Sequence, residues 1–209
     1  TTLYKYCEAF GLFDQIGSDI AKTYPIKIWP LKNVGKVELA TASFGQRFEI
    51  SPLQLITAVS SVANDGVLVQ PKIVKQVENS DTGVIEVQED KEVRQVISKE
   101  TSEKIKNMME SVVLYGTGKT AAVEGYTIGG KSGTSEPMSG NEEAGYVASF
   151  IGISPIENTQ VAVLVVLYDP DQNIHYHGGQ TAGPAVKNIL SEVLPYLGIN
   201  KNGENVTTQ

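Results

Sequence analysis

The segment GGKSGTSEP, residues 129–137, combines one lysine with several hydroxyl side chains and three glycines. With the residues before it, YTIGGKSGTS predicts a β-strand that leads into a hairpin. Alternate residues of a strand point to the same side, so Ser132 and Thr134 are expected to share one face. Lys131 and Gly133 are expected to lie on the other face.

These residue types on a strand allow two interpretations. A lysine on a strand is a fixed cation, and Gly133 leaves space for another molecule to approach the backbone. A strand N–H beside that glycine can donate to a developing oxyanion. The same residues also fit a glycine-rich edge strand whose polar side chains face solvent. The local sequence does not separate a catalytic strand from that structural one.

The rest of the chain predicts helices around an antiparallel sheet, which is an α+β fold. Ser51, Pro52 and Gln54 form a capping-box pattern at the start of a helix. Residues 12–35 show little periodicity and are expected to form a loop. The other expected elements are a helix in 1–11, a hairpin around NSDTG (79–83), a helix after Ser98 with Ile105, Met108, Met109, Val112 and Val113 on its inner side, strands in YVASFIGISP and TQVAVLVVLYDP, and a last helix from near Pro184 to Gly198.

Composition excludes several classes of function. The net charge is −7 and the pI is about 4.9, so the long-range field repels nucleic acid and anionic lipid. Cys7 is the only cysteine, which excludes an internal disulfide and a multi-cysteine metal site. The longest apolar run, Val161 to Tyr168, is far shorter than the ~18 residues that a membrane helix needs. We expect no membrane segment in this chain.

Two other segments are candidates for a phosphate-binding loop and a metal site, and neither fits its motif. GTGKT, residues 116–120, resembles a phosphate loop, but the first glycine of that motif is missing and the following residues do not predict a helix. We expect a flexible loop there. His175 and His177 could offer two metal ligands, with Asp169 and Asp171 nearby, but a zinc site needs three or four good ligands. We expect a polar loop, no metal site and no cofactor.

Lys131-Ser132-Gly133-Thr134 is the serine form of the Lys-Thr-Gly signature of penicillin-binding proteins and serine β-lactamases. The surrounding sequence resembles class B penicillin-binding proteins, and its ending is most similar to the sporulation-type members. The resemblance runs from about Thr2 to about Ile199. It is carried by ATASFGQRFEISPLQLITAVSSVANDGVLVQPKIV (40–74), VEGYTIGGKSGTSEP (123–137), YVASFIGISP (146–155), GGQTAGPAVKNIL (178–190) and LPYLGI (194–199).

The resemblance implies a five-stranded antiparallel sheet between helical layers and a D,D-transpeptidase that crosslinks peptidoglycan stem peptides. It implies binding of D-Ala-D-Ala ends and of β-lactams, which mimic them. Lys131 would supply positive charge near the substrate carboxylate and the proton-transfer network, and Ser132 and Thr134 would bind that carboxylate. The N–H of Thr134 would form one arm of the oxyanion hole, and Gly133 would leave room for substrate.

The sequence departs from the family pattern in two motifs. No serine is followed by lysine three positions later, so the nucleophile motif Ser-x-x-Lys is absent from this sequence. The second motif, Ser-x-Asn, occurs only as Ser139-Gly140-Asn141, which follows the lysine strand instead of preceding it. We therefore expect residues 1–199 to be the C-terminal part of a transpeptidase domain, and 200–209 to be a polar tail or linker.

Three functions remain open from the sequence. The first is a transpeptidase at the extracytoplasmic face of the bacterial membrane, completed by an upstream part of the same protein that also carries a membrane anchor. The second is a β-lactam sensor or β-lactamase relative, which needs Ser-x-x-Lys as well. The third is a non-catalytic scaffold that binds cell-wall partners.

Overall fold

A computed structural model describes residues 2–14, 19, 30–46, 48–137 and 145–201. The chain divides into two compact units, Thr1–Ser98 and Lys99–Gln209, and each is described by itself. None of the helices within the described ranges is long and apolar enough to cross a bilayer.

The first unit contains helices α1 (Thr2–Ala9), α2 (Lys36–Ala42) and α3 (Pro52–Ala63), with a short 3-10 turn at Leu31–Asn33. The predicted capping box at the start of α3 is confirmed. The Ser51 hydroxyl accepts from the Gln54 N–H at 3.2 Å, and the Ser51 N–H donates to Gln54 Oε1 at 3.0 Å. The Gln54 side chain is fully buried and also donates to the carbonyl of Asp14, which holds the segment after α1 against α3.

Four short strands complete the first unit: β1 (Val67–Val69), β2 (Gln76–Glu78), β3 (Ile85–Val87) and β4 (Glu92–Gln95). β2 and β3 form the antiparallel hairpin that the sequence predicts around 79–83. β1 pairs with β4, also antiparallel. The sequence did not predict α2 or β4, because neither has a buried residue and so neither shows an apolar face.

The second unit contains α4 (Lys99–Tyr115), a 3-10 turn at Lys119–Ala121, strands β5 (Gly129–Ser135), β6 (Val147–Ser154) and β7 (Val161–Tyr168), and α5 (Gly178–Tyr196). The three strands form one antiparallel sheet in the order β5-β6-β7. The predicted α+β class and antiparallel sheet are confirmed. The described residues of this unit supply three strands to the sheet, whereas the resemblance implied five for the family.

The core of this unit lies between the sheet and α5. Phe150 of β6 is fully buried against a row of apolar residues on α5, which consists of Ala182, Val186, Leu190 and Leu194. A Cβ added at Gly152 would lie 2.7 Å from Cγ1 of Val186, so α5 packs directly on β6, the middle strand.

Two predictions about helices in this unit were wrong. The buried residues of α4 are Ser102, Lys106, Met109 and Val113, whereas Met108, which was expected inside, is 66% exposed. The four buried residues are spaced three or four positions apart and therefore lie on one face of the helix. Met108 does not belong to this series and faces solvent. The last helix begins at Gly178, and Pro184 lies inside it instead of in its first turn.

Candidate active site

The segment Lys131 to Thr134 lies on β5, at the edge of the three-stranded sheet. Among the described residues β5 pairs only with β6, with Lys131 opposite Ile151 and Gly133 opposite Ser149. The Lys131 side chain is exposed, and its Nζ donates to the carbonyl of Ser132 at 2.7 Å. An edge strand with a solvent-exposed cation is accessible to an extended peptide, which can add itself as a further strand.

The Ser132 side chain is half-buried and has a partner from another element. Its Oγ lies 3.2 Å from Oγ1 of Thr117, and either hydroxyl can be the donor. Thr117 belongs to the GTGKT segment, so this segment lies beside the lysine strand. The sequence alone gave no signal for the contact, because it joins residues 15 positions apart.

The GTGKT segment does not have the structure of a phosphate loop. Its last two residues lie in a 3-10 turn at Lys119–Ala121, where the phosphate-loop motif requires an α-helix. The segment forms a loop, as predicted, but several contacts anchor it. The N–H groups of Gly116 and Gly118 both donate to the carbonyl of Val112, and Ala121 is fully buried. Gly118 lies on the ring of Phe150, where an added Cβ would come within 3.1 Å. The loop is therefore packed on the core.

Thr134 is held by the start of α5. The N–H of Gly178, the first residue of α5, donates to Thr134 Oγ1 at 3.1 Å. A Cβ added at Gly178 would collide with the carbonyl oxygens of Ser149 and Gly133. Glycine at this position therefore allows the helix to begin directly on the backbones of β5 and β6.

The contacts of β5 follow the alternation expected of a strand. Gly130, Ser132 and Thr134 lie on the side that meets Phe150, Thr117 and Gly178, respectively. On the other side, a Cβ added at Gly133 would lie 2.6 Å from Oγ of Ser149. The two hydroxyls of the motif are thus positioned by two different elements, the GTGKT loop and α5.

The two histidines show no metal-binding arrangement. His177 precedes α5, and its ring lies 4.3 Å from that of Tyr176, which in turn lies 4.6 Å from that of Tyr146. In the part of the chain that the structure describes, no three His, Cys, Asp or Glu side chains are grouped to hold a metal ion. Asp171 accepts from the backbone and side chain of Asn173, as is usual in a polar turn. Ser139-Gly140-Asn141 lies outside the described residues.

Cys7 offers no alternative nucleophile. It lies on α1 in the first unit, and burial raises the pKa of its thiol. Because the thiolate is the reactive form, a raised pKa makes this cysteine a weak nucleophile at neutral pH.

The family model of the penicillin binding protein transpeptidase domain matches residues 1–191. The chain belongs to this family. The chain is 38% identical over 200 residues to Stage V sporulation protein D of Bacillus subtilis, a match that covers 94% of this chain and 31% of that protein. It is 33% identical to the probable peptidoglycan D,D-transpeptidase PenA of Neisseria flavescens, over 79% of this chain and 39% of that protein.

Solved transpeptidase structures have the same fold. The TP domain of penicillin-binding protein 3 from Burkholderia pseudomallei matches with a TM-score of 0.81 at 31% identity, over 96% of this chain and 58% of that one. Penicillin-binding protein 3 of Mycobacterium tuberculosis, complexed with aztreonam, matches with a TM-score of 0.83 at 25% identity, over 99% of this chain and 48% of that one. This chain thus spans about a third of the length of the two curated relatives and about half of these structures.

The comparisons confirm the family and the fold class that the sequence predicts. The roles of Lys131, Ser132, Gly133 and Thr134 stay predictions, as do the domain limits 1–199 and 200–209.

Proposed function

We propose that this chain forms the substrate-binding wall of a peptidoglycan D,D-transpeptidase that works through an acyl-serine intermediate and binds β-lactams at the same site. The single observation that carries the proposal is the edge strand β5, where Lys131 is exposed and the hydroxyls of Ser132 and Thr134 are each held by a neighbouring element. Family membership supports the reaction class. The aztreonam complex of the Mycobacterium relative supports β-lactam binding.

In the proposed reaction the stem peptide lies along β5 with its terminal carboxylate toward Ser132 and Thr134. A serine attacks the carbonyl of the penultimate D-Ala, and the C–N bond to the terminal D-Ala breaks as that amine takes up a proton. An amine of a neighbouring stem then attacks the acyl-serine ester, which restores the serine hydroxyl and forms the crosslink. β-Lactams open their ring at the same step and leave the serine acylated.

Each residue of the motif has a role that its position suits. The exposed ammonium of Lys131 attracts the substrate carboxylate and supports proton transfer at the serine. The backbone N–H of Thr134 donates to the oxyanion of the tetrahedral intermediate. Gly133 has no side chain to block the substrate as it approaches the strand.

The attacking serine is assigned to a part of the protein outside this sequence, because no serine in the chain has lysine three positions later. The same upstream part would carry the membrane anchor and place the domain at the extracytoplasmic face of the bacterial membrane. The partners of the site are then D-Ala-D-Ala stem peptides, β-lactams and the upstream part of the same protein.

The test uses the full-length protein with a fluorescent penicillin and with a stem peptide that ends in D-Ala-D-Ala. The proposal predicts a covalent band on a denaturing gel and release of D-Ala from the peptide. Rapid hydrolysis of the penicillin without a lasting band would contradict it in favour of a β-lactamase relative. A lasting band without D-Ala release would contradict the proposal and indicate a β-lactam sensor. If neither a band nor D-Ala release is seen, the result indicates a non-catalytic scaffold.

A further inference from the structure

We propose that Thr117, in the GTGKT segment, is a positioning residue that directs the proton of the Ser132 hydroxyl toward the substrate carboxylate. The inference rests on the proposed function of β5. Its basis is the 3.2 Å distance between Thr117 Oγ1 and Ser132 Oγ, across two elements that are otherwise remote in sequence.

The direction of this hydrogen bond follows from counting protons. A hydroxyl group carries one proton and two lone pairs, whereas a carboxylate can only accept. When a carboxylate binds at Ser132, the single Ser132 proton must point to it. The bond to Thr117 then has one remaining polarity, in which Thr117 donates and Ser132 Oγ accepts. A chain of hydrogen bonds from Thr117 through Ser132 to the anion results.

Such a chain strengthens the contact with the anion. Donation from Thr117 polarises the Ser132 O–H group and makes it a better donor, since linked hydrogen bonds are cooperative. The bond to Thr117 also restricts the rotation of the Ser132 hydroxyl before substrate binds, so less rotational freedom is lost on binding. Without Thr117, the hydroxyl of Ser132 would be free to rotate away from the substrate.

The backbone of Thr117 is held by contacts that do not need its hydroxyl. Gly116 and Gly118 on either side donate to the carbonyl of Val112, and Gly118 rests on Phe150. The hydroxyl of Thr120 donates to the carbonyl of Gly179, which ties the same loop to the start of α5. The Thr117 side chain itself is exposed. Replacing it by valine therefore removes the hydroxyl and leaves the loop in place.

The experiment measures second-order acylation rates of the full-length protein by a penicillin with a free carboxylate and by its methyl ester. The variants are Thr117→Val, Thr117→Ser, Ser132→Ala and the double variant Thr117→Val with Ser132→Ala. Thr159→Val is the matched control, because it makes the same substitution at the turn between β6 and β7. Melting temperatures are measured for every variant.

Thr117→Val should slow acylation by the free carboxylate about 3- to 10-fold, which corresponds to the loss of one hydrogen bond. Thr117→Ser should restore most of the rate, since serine keeps the hydroxyl. The loss should disappear with the methyl ester and in the Ser132→Ala background, because Thr117 acts only through Ser132 on the anion. Thr159→Val should acylate at the normal rate.

Other outcomes overturn the inference, and they differ from a failure of the proposed function. A loss that persists in the Ser132→Ala background, or that is equal for the ester, would show that Thr117 acts directly or through the fold. A normal rate for Thr117→Val would show that its hydroxyl is irrelevant. If the unsubstituted protein is not acylated at all, the proposed function fails, and this inference fails with it.

Discussion

The N–H of Gly178 donates to the hydroxyl oxygen of Thr134 at 3.1 Å, so the first residue of α5 is bonded to the last residue of the Lys-Ser-Gly-Thr motif. The first N–H groups of a helix have no partner within the helix. Thr134 satisfies one of them, and in return α5 fixes the orientation of the Thr134 side chain. Packing at the helix start is therefore coupled to the geometry of the candidate site.

Substitution Gly178→Ala should disturb both the packing at the start of α5 and the position of the Thr134 side chain. The new Cβ would collide with the carbonyl oxygens of Ser149 and Gly133, which are backbone atoms that cannot rotate away. Overpacking of this kind costs about 1–3 kcal/mol of folding free energy. Because α5 must shift away from β5, the acylation rate of the full-length protein should fall as well. Melting temperatures and acylation rates with a fluorescent penicillin measure the two effects.

Gly83→Ala is the control for that prediction. Gly83 lies in the β2–β3 turn at a φ of 69°, and an added Cβ there would meet nothing within 4 Å. The backbone strain of alanine in this region costs about 1 kcal/mol, but acylation should not change. Equal acylation in Gly178→Ala and Gly83→Ala would contradict the coupling between α5 and Thr134.

Substitution Thr159→Val should stabilise the second unit. Oγ1 of Thr159 is buried and, among the described residues, has no hydrogen-bond partner. Burying an unpaired hydroxyl is unfavourable, so its removal should raise the free energy of unfolding by about 1 kcal/mol. Thermal or urea denaturation of the chain measures the change.

Thr127→Val is the matched comparison. The Thr127 hydroxyl donates to Glu157 Oε2 and accepts from the N–H of Ile156, both at 3.0 Å. The same chemical change should therefore lower stability at position 127. If both valine variants shift the midpoint in the same direction, hydrogen bonding does not explain the effect at Thr159.

The isolated chain should not form a stable acyl-enzyme with penicillin. It contains no Ser-x-x-Lys, and an acyl transfer needs an activated nucleophile. Incubation with a fluorescent penicillin followed by a denaturing gel should show no band on this chain, whereas the full-length protein in the adjacent lane should be labelled. A band on the isolated chain would mean that one of its own serines reacts.

Substitution Gly133→Val should block the site sterically. A Cβ at this position would already lie 2.6 Å from Oγ of Ser149, and the two γ-methyl groups of valine would occupy space where the substrate is proposed to approach β5. We expect strongly reduced acylation by penicillin in the full-length protein. Gly133→Ala should be intermediate, because the Ser149 side chain can rotate away. A valine variant with normal acylation would place the substrate elsewhere.

The elements with an apolar face or a strong local signal could be predicted from the sequence. The capping box at Ser51 and Gln54 and the apolar runs of β6 and β7 are local patterns, and local patterns fix local structure. α2 and β4 were not predicted, since they bury nothing and therefore carry no periodic apolar signal.

The arrangement around β5 depends on contacts between distant residues, which no local pattern encodes. The start of α5 was misplaced because the glycines at 178 and 179 are poor helix formers, yet their lack of side chains allows the close contact with β5 and the GTGKT loop. The motif itself could be recognised from four residues. The contacts of the motif with Thr117 and Gly178 could be identified only from the three-dimensional structure.

Lys131 is proposed to belong to the reaction site, instead of being only a solvent-exposed side chain on a structural edge strand. Its side chain is exposed, so Lys131→Ala should change folding stability by no more than about 1 kcal/mol. Loss of a well-placed electrostatic group typically reduces the rate about 100-fold or more, so acylation should fall far more than stability. His175→Ala should have little effect on either quantity.

The most direct measurement compares acylation rate constants and melting temperatures of the unsubstituted full-length protein, Lys131→Ala and His175→Ala. We expect a large loss of acylation for Lys131→Ala at a nearly unchanged melting temperature, and a normal rate for His175→Ala. Normal acylation in Lys131→Ala, with impaired acylation in His175→Ala, would contradict this expectation and move the active site from β5 to the segment before α5.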